Sequence, residues 1–196
     1  KDVLKKIDKS IFEIHLISNL KRTSQDDMSE ELKKIVYKWH DVEDYSDKDL
    51  TNYLRSFKFD ILFDLSGFTT GNRFEVLARR CAKIQIEWLG YNNSLGAKNI
   101  DYLITDKNLI KTDEHKFYKE KILYLPNIWN ALSRPVQLPD IKNKINKNSS
   151  DFTFCSFNNF QKISDRTIEV WSKILKETKS KLLLKNSLKG GDDLKN

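Results

Sequence analysis

Short apolar runs of strand length alternate with helix-forming segments along most of this chain, and this alternation restricts its fold more than any other feature. The run DILFDL, Asp60 to Leu65, is almost continuously apolar, which is typical of a strand covered on both faces. KIQIEWLG, DYLIT and KILYLP follow it, separated by helical or loop segments. Strands that alternate with helices and short loops form parallel βαβ units. The sequence therefore predicts an α/β fold with a doubly wound parallel sheet.

The segments before this run fit the same pattern. The predicted elements are a helix over Asp2–Ile7, a strand over Phe12–Ser18, a helix over Ser29–Tyr37 and an extended piece over Trp39–Val42. Ser46 then has the position of an N-cap, with Asp47 and Asp49 in the first turn after it. It opens a further helix that is predicted to bury Leu50, Tyr53, Leu54 and Phe57.

The pattern breaks at residues 127–150, which include the polar stretch IKNKINKNSS and which we interpret as a linker. After it, DFTFCSF predicts a strand, a helix is predicted from about Asp165 to Glu177, and KLLLKN predicts another strand. One strand-helix-strand unit cannot fill a Rossmann-like sheet. We therefore predict a Rossmann-like domain over residues 1–126 and the beginning of a second one over residues 151–196, in a chain that is a fragment of a longer protein.

Charge and hydropathy exclude several classes of protein. The net charge is +7, but the basic residues are mostly lysine and are spread among 28 acidic residues, whereas nucleic-acid-binding proteins tend to cluster arginine. No stretch approaches the roughly 18 to 20 apolar residues of a membrane span, and KDVLKKIDKS lacks the apolar core of a signal peptide. We predict a soluble cytoplasmic protein with no nucleic-acid or membrane partner.

Two glycine-bounded loops follow predicted strands, where open parallel sheets bind ligands. Candidate site residues in SGFTTG are Gly67, Phe68, Thr69, Thr70 and Gly71, and those in GYNNSLG are Gly90, Tyr91, Asn92, Asn93, Ser94 and Gly96. Glycine allows close backbone approach, and threonine hydroxyls can donate hydrogen bonds to a ligand. Ordinary turns would also use these residues, so the loops alone leave both interpretations open.

A third loop, in FCSFNNFQKIS, leaves a strand through Asn158 and Asn159 and places Lys162 just before a helix that begins after Ser164. The two amides offer donors and acceptors, and the lysine is a compact positive charge. Such a charge suits a diphosphate leaving group, whose negative charge grows as its bond to a sugar breaks. Helix capping alone would also explain the segment.

The histidines offer no catalytic grouping. His15 is predicted within a strand, and His40 and His115 in loops. No serine, histidine and acid arrangement and no metal-ligand spacing emerges, so we predict no bound metal. Chemistry by paired carboxylates stays open, although no pair stands out in the sequence.

Four blocks of the sequence together resemble the catalytic region of the SPINDLY and O-GlcNAc transferase family. They are DILFDLSGFTTGNRFEVLARR, KIQIEWLGYNNSLGAKNIDYLITD, KILYLP and FCSFNNFQKISDRTIEVWSKIL, in the family's order and spacing. The resemblance implies a GT-B fold of two Rossmann-like domains. It also implies metal-independent, inverting transfer of a sugar to Ser or Thr hydroxyls of intracellular proteins. The donor is usually UDP-N-acetylglucosamine, or GDP-fucose in some plant members, and no other cofactor is implied.

By this resemblance, Lys162 corresponds to a lysine that contacts the donor diphosphate, and Asn159 to an amide that lines the donor site beside Asn158. GYNNSLG departs from the family pattern, in which GYP is followed by a small residue and TTG or TSG, and many bacterial members have histidine where Phe68 stands. The proposed catalytic histidine of the family, in a His-Pro motif, and the first strand are expected before Lys1. A threonine-rich and glycine-rich nucleotide segment is expected downstream, and tetratricopeptide repeats are expected in the full-length protein.

Two classes of function follow. The leading hypothesis is the central part of a protein O-glycosyltransferase that takes a nucleotide-sugar donor and a protein or peptide acceptor, with N-acetylglucosamine as the sugar. The alternatives are a GDP-fucose-using enzyme of the SPINDLY type and a catalytically incomplete fragment or protein-binding module. We expect the isolated chain to have weak activity or none.

Overall fold

The computed structural model describes residues 1–132 and 152–185. The chain divides into two compact units, Lys1–Val136 and Gln137–Asn196. Most of the predicted linker lies outside the described residues, so the domain boundaries drawn from the sequence stay a prediction.

The first unit alternates strands and helices in the predicted order. Its strands are β1 (His15–Ser18), β2 (Lys38–Asp41), β3 (Ile61–Asp64), β4 (Ile84–Glu87), β5 (Tyr102–Thr105) and β6 (Lys121–Tyr124). Its α-helices are α1 (Asp2–Lys6), α2 (Asp27–Lys33), α3 (Asp47–Ser56) and α4 (Phe74–Ala78), and 3-10 helices cover Arg22–Ser24 and Thr112–Phe117. Helix α2 begins before its predicted start because the Asp26 side chain accepts the Ser29 N–H at 3.0 Å as an N-cap.

All strand pairs in the described residues are parallel. Strand β1 pairs with β2, and β3 to β6 form a four-stranded sheet in chain order. The last ladder pair of β3 and β4 is Asp64 with Glu87. The loops that follow these two strands therefore begin side by side at the carboxyl edge of the sheet.

Helices α3 and α4 pack against one face of the four-stranded sheet. Leu50 and Leu54 of α3 and Val76 of α4 form a buried cluster against which Leu62 of β3 packs. Fully burying a side chain of this size contributes about 1.5–3 kcal/mol, so this cluster is a main source of stability for the first unit.

The opposite face of the sheet differs from the prediction for β3. Ile61 and Phe63 point away from Leu62 and are 42% and 45% exposed. Ile84 on β4 and Leu123 on β6 are also exposed. The prediction that this strand is covered on both faces is therefore wrong for the described residues, because α3 and α4 both pack on the Leu62 face.

Helix α3 begins as the sequence predicts. The Ser46 side chain accepts the Asp49 N–H at 3.1 Å, and its hydroxyl donates to the Asp49 carboxylate at 2.6 Å. Replacing Ser46 by alanine removes this cap and is expected to lower the free energy of unfolding by about 1 kcal/mol in urea titrations. Asn52→Ala, an exposed change in the same helix, is the matched control. Equal stability of Ser46→Ala and the wild type would contradict the capping role.

The described part of the second unit is a single parallel βαβ motif. It contains β7 (Thr153–Ser156), a 3-10 helix (Phe160–Lys162), α5 (Asp165–Thr178) and β8 (Lys181–Leu184). Trp171 and Leu175 line the same concavity as Phe154 and Leu182. The apolar face of α5 is only partly covered by the described residues, since Ile168 is 52% exposed. Across residues 1–132 and 152–185, no helix is long and apolar enough to cross a membrane.

Candidate functional site

The first loop (residues 66–71) and the second loop (residues 90–96) lie against each other at the carboxyl edge of the four-stranded sheet. An added Cβ at Gly67 would lie 2.2 Å from the Tyr91 Cβ, and one at Gly90 would lie 1.9 Å from the Leu65 carbonyl oxygen. Neither distance is possible for a real side chain. Gly67 also has a φ of +53°, in the left-handed region that favours glycine. The structure thus shows the close backbone approach that the glycines suggested.

Aromatic rings extend the contact between the two loops. The Phe68 ring lies 4.8 Å from that of Phe74 and 5.6 Å, edge to face, from that of Tyr91, measured between centroids. Such ring pairs contribute about 0.5–1.5 kcal/mol beyond the area that they bury. Phe68 is still 47% exposed, so it presents an aromatic surface at this edge of the sheet.

Hydrogen bonds within the first loop and to Asn19 fix its conformation. The Thr69 hydroxyl donates to the Ser66 carbonyl at 2.7 Å, and the Gly71 carbonyl accepts from the Asn19 side chain at 2.9 Å. Thr70 is exposed. Of the two threonines predicted to face a ligand, Thr69 is therefore engaged in a turn and Thr70 is the accessible one.

The second loop is held by one buried acid, Glu120, that the sequence did not indicate. Its carboxylate accepts from the Ser94 hydroxyl at 2.7 Å, from the Leu95 N–H at 2.8 Å and from the Gly96 N–H at 3.2 Å. Ser94 and Gly96 are thus tied to the scaffold, whereas Asn92 and Asn93 are exposed. The accessible polar groups of this loop are the two asparagines.

A pair of carboxyl groups lies beneath the two loops and was also missed from the sequence. Asp64 accepts the N–H groups of Ser66 and Gly67 at 3.1 and 3.0 Å, which fixes the start of the first loop. Glu87, opposite Asp64 on β4, is fully buried. Burial, and then the neighbouring Asp64 carboxylate, raise the pKa of Glu87 to about 9. The sequence feature that could have identified Glu87 is the presence of an acid within the otherwise apolar strand segment KIQIEWLG.

The second unit carries the third predicted loop. Asn159 is the N-cap of the 3-10 helix, where its side-chain oxygen accepts the Gln161 N–H at 3.0 Å. Ser164 caps α5 by accepting the Thr167 N–H. Lys162 and Asn158 are exposed, and Lys162 forms no ion pair with the described residues. Capping therefore accounts for Asn159 and Ser164 but leaves the lysine without a structural role.

The three histidines make their contacts within the first unit. His40 is in β2 rather than in a loop, and its ring nitrogens lie 2.9 Å from His15 and 2.7 Å from the Tyr53 hydroxyl. Burial and the nearby His15 lower the pKa of His40 to about 4. His115 lies in the 3-10 helix Thr112–Phe117, also not in a loop, and contacts the Tyr124 hydroxyl at 2.6 Å. These contacts give the three rings roles in packing.

Comparison with known proteins agrees with this arrangement. The model of Glycosyl transferase family 41 matches residues 24–153. Two similar proteins are each named "Probable UDP-N-acetylglucosamine--peptide N-acetylglucosaminyltransferase SPINDLY". The one from Oryza sativa subsp. japonica is 34% identical and the one from Eustoma exaltatum subsp. russellianum 32% identical, each over 70% of this chain. The chain spans about 15% of the length of these relatives.

A solved structure is similar over nearly the whole chain. It is a lysine-to-methionine variant of the Thermobaculum terrenum O-GlcNAc transferase, with 27% sequence identity and a TM-score of 0.86. The match covers 94% of this chain and 35% of that one. The predicted α/β fold of the GT-B type is thereby confirmed.

Proposed function

Because this chain belongs to glycosyl transferase family 41, we propose that it is the central part of the catalytic region of a protein O-glycosyltransferase. The proposed reaction moves N-acetylglucosamine from UDP to a Ser or Thr hydroxyl of a protein acceptor. It takes place in the cytoplasm, requires no metal and inverts the configuration at the anomeric carbon. The names of the SPINDLY and O-GlcNAc transferase relatives support the sugar and the protein acceptor.

The position of Lys162 carries this proposal. The residue is exposed, follows the carboxyl end of β7 and precedes the N-terminus of α5, a helix of 14 residues. Helix N-termini and lysine both attract phosphate groups. In the proposed reaction, the acceptor hydroxyl gives its proton to a general base of the full-length protein. Its oxygen forms a bond to the anomeric carbon while the bond from that carbon to the diphosphate breaks. The bonding electrons pass to the diphosphate oxygen, and Lys162 stabilises the charge that develops there.

The other predicted residues contribute to binding. Asn158 is exposed beside the capping residue Asn159 and offers an amide to the donor. In the first unit, Phe68, Thr70 and Asn92 supply an aromatic surface, a hydroxyl and an amide at one edge of the sheet. We assign these three groups to the sugar or the acceptor.

Isothermal titration calorimetry tests the donor assignment. We expect the complete protein to bind UDP and UDP-N-acetylglucosamine, and Lys162→Ala to weaken both affinities about tenfold through the loss of one charged contact. Lys176→Ala, an exposed lysine of α5, is the matched control. Binding of GDP-fucose alone would overturn the sugar assignment, and failure to bind any of the three nucleotides would favour a protein-binding module.

A further inference from the structure

Glu87 is a fully buried carboxyl group beneath the first and second loops. It shares one face of the sheet with its ladder partners, Asp64 on β3 and Leu103 on β5. Neither of its oxygens meets standard hydrogen-bond geometry with another described residue. Asp64 and the Tyr91 N–H nevertheless lie close enough to affect its ionisation. A buried polar group without a well-formed hydrogen bond destabilises a fold, so its presence needs a physical explanation.

Negative groups face Glu87 from two sides. They are Asp64 on β3, which holds the first loop, and Glu120 just before β6, which holds the second loop. Strand β5 contributes only the uncharged side chains of Leu103 and Thr105 to this face. The described residues contain no group of three acids, cysteines or histidines that could hold a metal ion. Glu87 can therefore lie beside these negative groups if its carboxyl group keeps its proton and shares it with Asp64.

We propose that Glu87 is a positioning residue that joins the two loops through its protonated carboxyl group. The O–H donates to the Asp64 carboxylate, and the other oxygen accepts the Tyr91 N–H. Asp64 fixes the first loop and Tyr91 is the second residue of the second loop, so one proton couples the two loops. Loss of that proton places a carboxylate next to Asp64, and the two loops separate. This role goes beyond the proposed function, since it depends on neither the sugar nor the acceptor.

Nuclear magnetic resonance of the 196-residue chain tests the coupling. We expect the Glu87 carboxyl carbon to titrate with a midpoint near pH 9. The amide signals of Thr69 and Asn93, which lie farther along the two loops, are expected to shift with the same midpoint. Glu87→Gln keeps a neutral hydrogen-bonding group and is expected to abolish both shifts while leaving the loop signals at pH 7 near those of the wild type. Glu75→Gln, at an exposed acid of α4, is the control.

Glu87→Met separates positioning from packing, because methionine fills a similar volume without hydrogen bonding. We expect it to move the loop signals already at pH 7, and spectra identical to those of the wild type would overturn the proposal.

The folded chain keeps a proton on Glu87 that the unfolded chain loses above the usual carboxyl pKa of 4.5. The wild type therefore loses stability relative to Glu87→Gln as the pH rises from about 5 to 9, up to tenfold in the folding equilibrium constant per pH unit. The proposal would also be overturned if the amide signals of the loops did not shift as Glu87 titrates. A difference in stability between the wild type and Glu87→Gln that stays constant with pH would overturn it too.

Discussion

Sugar transfer by the complete enzyme is expected to fall about 100- to 1,000-fold when Lys162 is replaced by alanine, as is typical when one group that stabilises developing charge is removed. The negative charge on the leaving diphosphate is greater in the transition state than in the bound donor, so the turnover number should fall more than the donor affinity. Lys162 is exposed and forms no ion pair with the described residues. The free energy of unfolding should therefore change little. Transfer of a radiolabelled sugar to a protein acceptor measures the first effect, and urea titration the second.

Two further variants sharpen this test. Lys176→Ala removes another exposed lysine from the same unit and should retain full turnover. Lys162→Arg keeps the positive charge but exchanges a compact ammonium for a planar guanidinium, so partial turnover is expected. Near-normal turnover of Lys162→Ala would rule out the assigned role, whereas equal losses for Lys162→Ala and Lys176→Ala would indicate a general effect of surface charge.

Replacing Gly90 by alanine is expected to lower the free energy of unfolding of the first unit by about 2–4 kcal/mol. The new methyl group would lie 1.9 Å from the Leu65 carbonyl oxygen, a backbone atom that cannot move without displacing the first loop. The strand pairing of Asp64 with Glu87 restricts such a displacement. Urea unfolding followed by tryptophan fluorescence measures the loss.

Gly71→Ala is the matched control for Gly90→Ala. Gly71 has a φ of +80° but no atom within 4 Å of an added Cβ, so alanine there causes backbone strain of about 1–2 kcal/mol without a clash. The Gly90 substitution should be clearly the more damaging of the two. The reverse order would show that the loops do not approach as closely as the structure indicates.

The sequence predicts the elements of the fold well because their signals are local. Ser46 followed by two aspartates is sufficient to identify the start of α3, and the strand-length segments DILFDL and DFTFCSF identify β3 and β7. The burial of each face is not a local property. Nothing in DILFDL distinguishes Leu62, which packs on α3 and α4, from the exposed Phe63.

The candidate site could be predicted only in part, for a similar reason. Glycines and polar residues after strands reveal the loops, because backbone geometry restricts which residues can stand there. The groups that hold these loops are distant in sequence. Glu120 reaches Leu95 across 25 positions, and Glu87 meets Asp64 only through the register of two strands. Neither contact leaves a local pattern.

The contact between Gly90 and Leu65 restricts which positions of the second loop can change. The backbone of the second loop is fixed at its beginning by this contact and near its end by Glu120. Asn92 and Asn93 between these points are exposed, and the Asn93 side-chain oxygen accepts the Ser94 N–H at 2.8 Å. Substitution of Asn92 is therefore expected to change the folding free energy little, whereas any side chain at Gly90 displaces the backbone of the first loop.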